Sequence, residues 1–598
     1  MKTFFASLGG AVIGSIVGLF LLFFIGVGLI QMTVSNAMKS ASGPETGQDD
    51  GDPIVLTLDL RVPYADQAPT SGPEVLFGGG TGFIDIISKL DAAASDDQVK
   101  GLFIRASEFG IGSSRAEEYR EAFLKFQAAD KFIITHSQGS YGGGPSGYRA
   151  IAPSDEIWIQ PGSDMIASGI VFETLFFKGL LDNLSVTPEI EALYEYKNAP
   201  NVYKEDTYTE PHRRAMTELA ESIWDVSLGD IATDRGITVT QARSALEASP
   251  ISGEQMIEYN LATELGWPEQ ALDKATEQAG EDAITIDVAS YAAPETKFGA
   301  PVIAIVGGQG PIVTGEEGGS LFQEGNGFAS DTIAAALYEA GRDEDVKAVV
   351  FRVDSPGGSP TASDQIWHAI NYIQTEEQKP VIVSMASVAA SGGYYVSTGA
   401  DWIVANRTTI TGSIGIFGGK MAIDEGLARI GINAESIKVG GPFAGAFSTT
   451  EGFTDAQRTM IRAWLQRGYD RFTTLVAEGR ELSLEQVDEI ARGRVWSGED
   501  ALDNGLVDEL GGLTAAISKA RELAEIEEDA EIRVKTYPMN DGGFSFFSAS
   551  SSASAAELKA IGQLAEIIND PEVQALLMET EAMRNSRIQA RMPTFIER

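Results

Sequence analysis

"DEDVKAVVFRVDSPGGS", residues 343–359, carries the reading of the fold. Its centre, "KAVVFRVD" (347–354), has the β-branched and aromatic composition of a buried strand. "TASDQIWHAINYIQTEE" (361–377) follows with helical periodicity, and "PVIVSMAS" (380–387) reads as the next strand. Strand, helix and strand at this spacing predict right-handed crossovers and a largely parallel sheet.

The stretch is written twice. "DDQVKGLFIRA" (96–106) resembles "DEDVKAVVFRV" (343–353), with Lys100 and Lys347 matched at an offset of 247. "PIVLTLDL" (53–60) resembles "PVIAIVGG" (301–308), and "SDEIWI" (154–159) resembles "ADWIVA" (400–405). "ISGEQMIEYNLATELG" (251–266) resembles "WSGEDALDNGLVDELG" (496–511). Matches in one order at a nearly constant offset indicate a duplication of about 245 residues. The expected body is therefore two α/β domains, 53–295 and 296–537. Beyond them, 542–556 is a Gly/Ser/Ala linker, and 556–585 has the pattern of an amphipathic helix for packing or oligomerisation.

A second stretch, "SVAASGGYYVS" (387–397), places Ser391 between a strand and a helix. A serine there is most often a helix cap. It can also stand clear of the sheet as a nucleophile, with the following amide, Gly392, as an oxyanion donor. "DSPGGS" (354–359) tilts the balance, because Gly357 or Gly358 would bring a second bare amide to the carboxyl edge of the sheet. Taken alone, Pro-Gly is ordinary turn chemistry. The chain has three histidines, His136, His212 and His368, and none is near this stretch in sequence.

Composition narrows the function classes. A net charge of −42 argues against nucleic-acid binding, which needs a basic face. Without cysteine there is no disulfide, thiolate nucleophile or cysteine metal site. No charged side chain occurs from Thr3 to Met38, and residues 4–30 are long and apolar enough to span a bilayer. The reading is one N-terminal anchor (1–40) and an acidic linker (41–52), with the body outside the cytoplasm. "SNA" (35–37) could mimic a signal-peptide cleavage site.

"DSPGGS", "ASGGYYVS", "TGSIGIFG" (411–418) and "WSGEDALDNGLVDELGG" (496–512) resemble the signal peptide peptidase A family, in its long, duplicated form. The resemblance covers about 53–537 and the anchor. It implies the ββα spiral fold of Clp protease and the crotonases, and a serine–lysine dyad that needs no metal or organic cofactor. It also implies cleaved signal peptides as substrates, a bacterial inner-membrane location with the body in the periplasm, and a homo-oligomeric bowl with a tetramer as candidate size. The family's Tyr-Lys-small pattern falls on "YEYKNAPN" (194–201), making Lys197 the general base and Ser413 the residue that orients it. Lys204 is the rival, but its acidic neighbours would hold it charged.

The duplication bears on this assignment. Pro145 falls opposite Ser391, and "ASEFG" (106–110) opposite "DSPGG". Ala444 falls opposite Lys197, so each copy lacks what the other keeps. Two former subunits fused with their interface intact would bring Lys197 and Ser391 of one chain together. Two other readings compete: a crotonase-like acyl-CoA enzyme, which would not need Ser391, and a non-catalytic membrane scaffold.

Overall fold

The structure, a computed structural model, describes residues 51–68, 81–141, 144–294, 297, 299–316, 328–527 and 530–538. The expected anchor, most of the acidic linker and the C-terminal helix lie outside the described residues. Among these residues no helix is long and apolar enough to cross a membrane.

The opening stretch forms the strand Val346–Ser355, with Val349, Val350 and Phe351 fully buried. The helix Pro360–Thr375 follows. Ser359 caps it by accepting the Ala362 N–H, and Pro360 occupies a first-turn position whose amide needs no partner. The strand Val381–Ala390 then pairs parallel to Val346–Ser355.

Each copy builds its own sheet. The N-terminal one has six strands, with Ile54–Asp59, Val99–Arg105 and Phe132–Ser137 parallel at its centre. The C-terminal one has eight strands around Val302–Gln309, Val346–Ser355 and Val381–Ala390, and Val495–Ser497 joins it antiparallel. The duplication extends to side-chain bonds. Tyr148 Oη donates to the Leu261 carbonyl, and Tyr394 Oη to that of Leu506. Tyr291 Oη donates to Asp96, and Tyr537 Oη to Asp343. The body is thus a mixed α/β fold with parallel sheets, repeated twice.

The copies meet through three kinds of contact. Ile84 of the N-terminal copy packs among Ile303, Ile305 and Val350 of the other. The strand Thr187–Ala192 pairs antiparallel with Phe417–Ala422. Between these lies a buried ion network. Arg352, 2% exposed, donates to Glu118 at 2.7 Å and to Asp66 at 3.1 Å. Glu117 and Asp230 each accept from both Arg149 and Arg407. The Arg149 and Arg407 guanidinium groups hold the Glu117 carboxyl below its ordinary range against the opposing effect of burial.

Candidate active site

Ser391 sits where the strand Val381–Ala390 gives way to the short helix Gly392–Ser397. Its backbone, at φ 54° and ψ −115°, lies in a region that favours glycine. Holding another residue there costs about 1–3 kcal/mol, so the surroundings must impose it. The Ser391 N–H donates to the Gly412 carbonyl at 2.9 Å, and Tyr394 and Tyr395 anchor the helix beyond. A Cβ on Gly357 would lie 2.5 Å from the Gly392 nitrogen, and one on Gly393 2.6 Å from the Ser355 carbonyl oxygen. The glycines therefore let the "DSPGG" turn press against the start of the helix.

Ser391 occupies the cap position, yet its side chain makes no capping bond. Its Oγ lies 3.0 Å from Lys197 Nζ. Ala390 pairs with Gly412 in the sheet, so Ser391 and Ser413 are the next residues of neighbouring strands. Lys197 Nζ donates to Ser413 Oγ at 3.0 Å and to the Ser413 carbonyl at 2.9 Å.

Lys197 arrives from the other copy. The strand Thr187–Ala192 runs along Phe417–Ala422, and Leu193 N–H donates to the Ile416 carbonyl. Tyr194 then takes a positive φ and the chain turns inward. Lys197 is 5% exposed, and burial alone pushes its amine down to about 7. Lys204 is exposed and donates to the Ile190 carbonyl, away from both serines.

The three glycines play different parts. Gly357 N–H donates to Ser355 Oγ at 3.1 Å. The amides of Gly392 and Gly358 have no acceptor among the described residues. A Cβ built on Gly392 would lie 3.0 Å from the Gly358 nitrogen, so the two amides are close neighbours beside Ser391.

The profile of peptidase family S49 matches residues 133–282 and 373–527, one segment in each copy. "Protease 4" of Salmonella typhi is 30% identical over 543 residues, covering 86% of this chain and 84% of that one. The chain belongs to peptidase family S49. Two further relatives agree with this. "Protease 4" of Haemophilus influenzae is 31% identical over 75% of this chain and 74% of its own. "Serine protease SPPA, chloroplastic" of Arabidopsis thaliana is 26% identical over 79% and 69%. This S49 protein is accordingly a serine peptidase, and the acyl-CoA enzyme and scaffold readings give way.

Only one copy of the S49 peptidase presents a serine at this turn. In the N-terminal copy the matching helix, Ser146–Ile151, is preceded by Pro145. The hydroxyl of the adjacent Ser146 donates to the Ile111 carbonyl at 2.6 Å.

Two residues behind Lys197 were not singled out from sequence. A Cβ on Gly493, whose φ is +86°, would lie 2.6 Å from both Cα and N of Lys197. The Arg494 carbonyl accepts the Ser413 N–H at 2.7 Å. Its guanidinium stacks on Trp496 and Tyr196 and pairs with Glu218. The available signal was their place in "ARGRVWSG" (491–498), directly before the strongest repeat block. Gly493→Ala should displace the lysine turn and lower kcat/KM by about 10²-fold, the scale expected for a 1 Å misplacement. The check is peptide turnover alongside an unchanged circular dichroism spectrum. Near-normal turnover would show that the close packing at Gly493 does not position the amine.

Proposed function

We propose that Ser391 is the nucleophile of this serine peptidase, Lys197 its general base and Ser413 the residue that orients the amine. The observation that carries the proposal is the buried Lys197 amine, 3.0 Å from both hydroxyls and pushed down to about 7. A neutral amine has two protons and a lone pair. With the protons given to the two Ser413 oxygens, the lone pair is left for the Ser391 hydroxyl.

In this mechanism Ser391 Oγ attacks the peptide carbonyl carbon as its proton passes to Lys197. The Gly392 and Gly358 amides donate to the developing oxyanion, while Gly357 shapes the turn. Lys197 returns the proton to the leaving amine. It then takes one from the water that attacks the acyl-enzyme and restores the Ser391 hydroxyl as the acid leaves. The steps use side chains and amides of this chain throughout.

The finer reading follows the family resemblance. It is a ββα spiral fold on a single-pass anchor in a bacterial inner membrane, with the catalytic body in the periplasm. The enzyme works as a homo-oligomer, and cleaved signal peptides and other apolar peptides are its substrates. The uncharged stretch at 4–30 supports the anchor.

A fluorophosphonate probe tests the catalytic proposal. Labelling should map to the peptide carrying Ser391 in the full chain and fall by about 10²-fold or more in Lys197→Met. Labelling on another serine, or equal labelling of the variant, would refute the assignment.

A further inference from the structure

The internal repeat has a consequence for the surface. The helix Lys178–Leu184 and the helix Asp424–Arg429 correspond bond for bond. Leu181 N–H donates to the Phe177 carbonyl as Leu427 N–H does to that of Ile423. Val186 N–H donates to Leu181 as Ile432 N–H does to Leu427, so the local offset is 246. This fixes counterparts for both strands of the pair that joins the copies. The strand Thr187–Ala192 corresponds to residues 433–438, and the strand Phe417–Ala422 to residues 171–176.

Within the chain one set is paired and its counterpart set is not. Ile190 and Glu191 are buried by the cross-copy pairing. Their counterparts, Ser436 and Ile437, are exposed, and Ile437 is 95% so. From Val171 to Phe177 exposed and half-buried residues alternate strictly, the signature of an extended strand with one free face. Val171 is 79% exposed, Leu175 73% and Val439 90%. Among the described residues no backbone N–H of 170–176 or 433–439 finds an acceptor. Two extended apolar segments with open backbone edges are an uncovered interface.

We propose that these segments pair with each other between two copies of this chain, repeating across subunits the strand pair that joins the copies within one. The occupant is a second copy because its two counterpart strands already bind each other here. This deepens the oligomeric reading above and does not depend on the catalytic roles. The register follows from the intrachain pair, in which Gly418 faces Glu191 and Met421 faces Pro188. Phe172 then faces Ile437 of the partner subunit, and Leu175 faces Ala434 of the partner subunit. The copies differ at one point. Gly419 allows a close approach to Ile190, and Glu173 stands at its counterpart, so the second pairing is wider there.

The contact is head to tail, because each chain offers one segment of either kind. Repeated with a constant rotation it closes a ring. Junctions within chains, which carry Lys197 and Ser391, would alternate with junctions between chains, which carry Pro145 in place of the serine.

The chain has no cysteine, so cross-linking is clean. Full-length Phe172→Cys and Ile437→Cys proteins, mixed under subunit exchange in detergent and oxidised, should give a disulfide-linked dimer that neither gives alone. Facing residues on antiparallel strands lie about 4.5–5.5 Å apart, within disulfide reach. Leu175→Cys mixed with Ala434→Cys should behave alike, guarding against a local defect in the first pair. Val171→Cys with Ile437→Cys, slipped by one residue onto opposite faces, should cross-link about tenfold less. Light scattering on the uncross-linked full chain completes the test. An oligomer whose in-register mixtures do not cross-link would overturn the edge pairing and leave oligomerisation standing. A monomer would overturn both.

Discussion

Ser391→Ala is expected to stop peptide cleavage, with kcat falling on the order of a millionfold, the scale for loss of a serine-peptidase nucleophile. The fold should survive. The Ser391 side chain makes no helix cap, and its hydroxyl is bonded to Lys197. Alanine meets the same backbone strain as serine at φ 54°, so the strain does not distinguish the two proteins. Turnover of an apolar peptide, set beside the thermal unfolding midpoint, is the measurement. Wild-type turnover in a folded variant would remove Ser391 from the mechanism.

Lys197→Met should be nearly as severe, with a loss of about 10²–10⁴-fold or more for removal of a general base. Methionine has similar length and no charge to bury, so the loss should appear in turnover and not in folding. Lys204→Met should keep most activity, because its amine rests on the Ile190 carbonyl. The pH profile gives an independent reading. The neutral amine is the active form, so kcat/KM should rise with pH through a midpoint of about 7 and fall about tenfold per unit below it. A solvated lysine would be neutral at pH 7 in only roughly one molecule in a few thousand. An acid limb near pH 10 would mean that burial does not tune this amine.

The fold was legible because its signals are local and repeated. "KAVVFRVD" and "PVIVSMAS" form buried parallel strands, and the offset matches recur as matched hydrogen bonds. The three polar members of the candidate site were legible for a different reason. Ser391 and Ser413 lie in glycine-marked motifs, and Lys197 came from the family pattern, with the divergence of the copies beside it. Several features were not legible. The positive φ of Ser391 depends on the Gly412 carbonyl, and nothing in "ASGGYY" encodes that long-range bond. Gly357 and Gly358 are equivalent in "DSPGGS" until Ser355 Oγ takes the first amide. Glu117, Glu118 and Asp230 read as surface charges, since such residues are seldom buried unless paired. Their arginine partners Arg352 and Arg407 lie hundreds of positions away, in the other copy.

The Arg352 network bears on what a gene of this kind can become. Both carboxylates that hold Arg352 belong to the N-terminal copy. A reading frame broken between the copies would yield a C-terminal half whose Arg352 has lost both counter-ions. Deleting one partner of a buried pair costs about 3–5 kcal/mol. That is a large share of the 5–15 kcal/mol by which a domain of ordinary stability stays folded. The N-terminal half would inherit the reverse fault, Asp66 and Glu118 without Arg352. Reversing the fusion therefore requires several charge changes in both halves at once, and each change alone harms the intact chain. Duplication of this kind works as a ratchet: the tandem form can diversify its surface and its substrates, but the path back to a single-copy ancestor is closed.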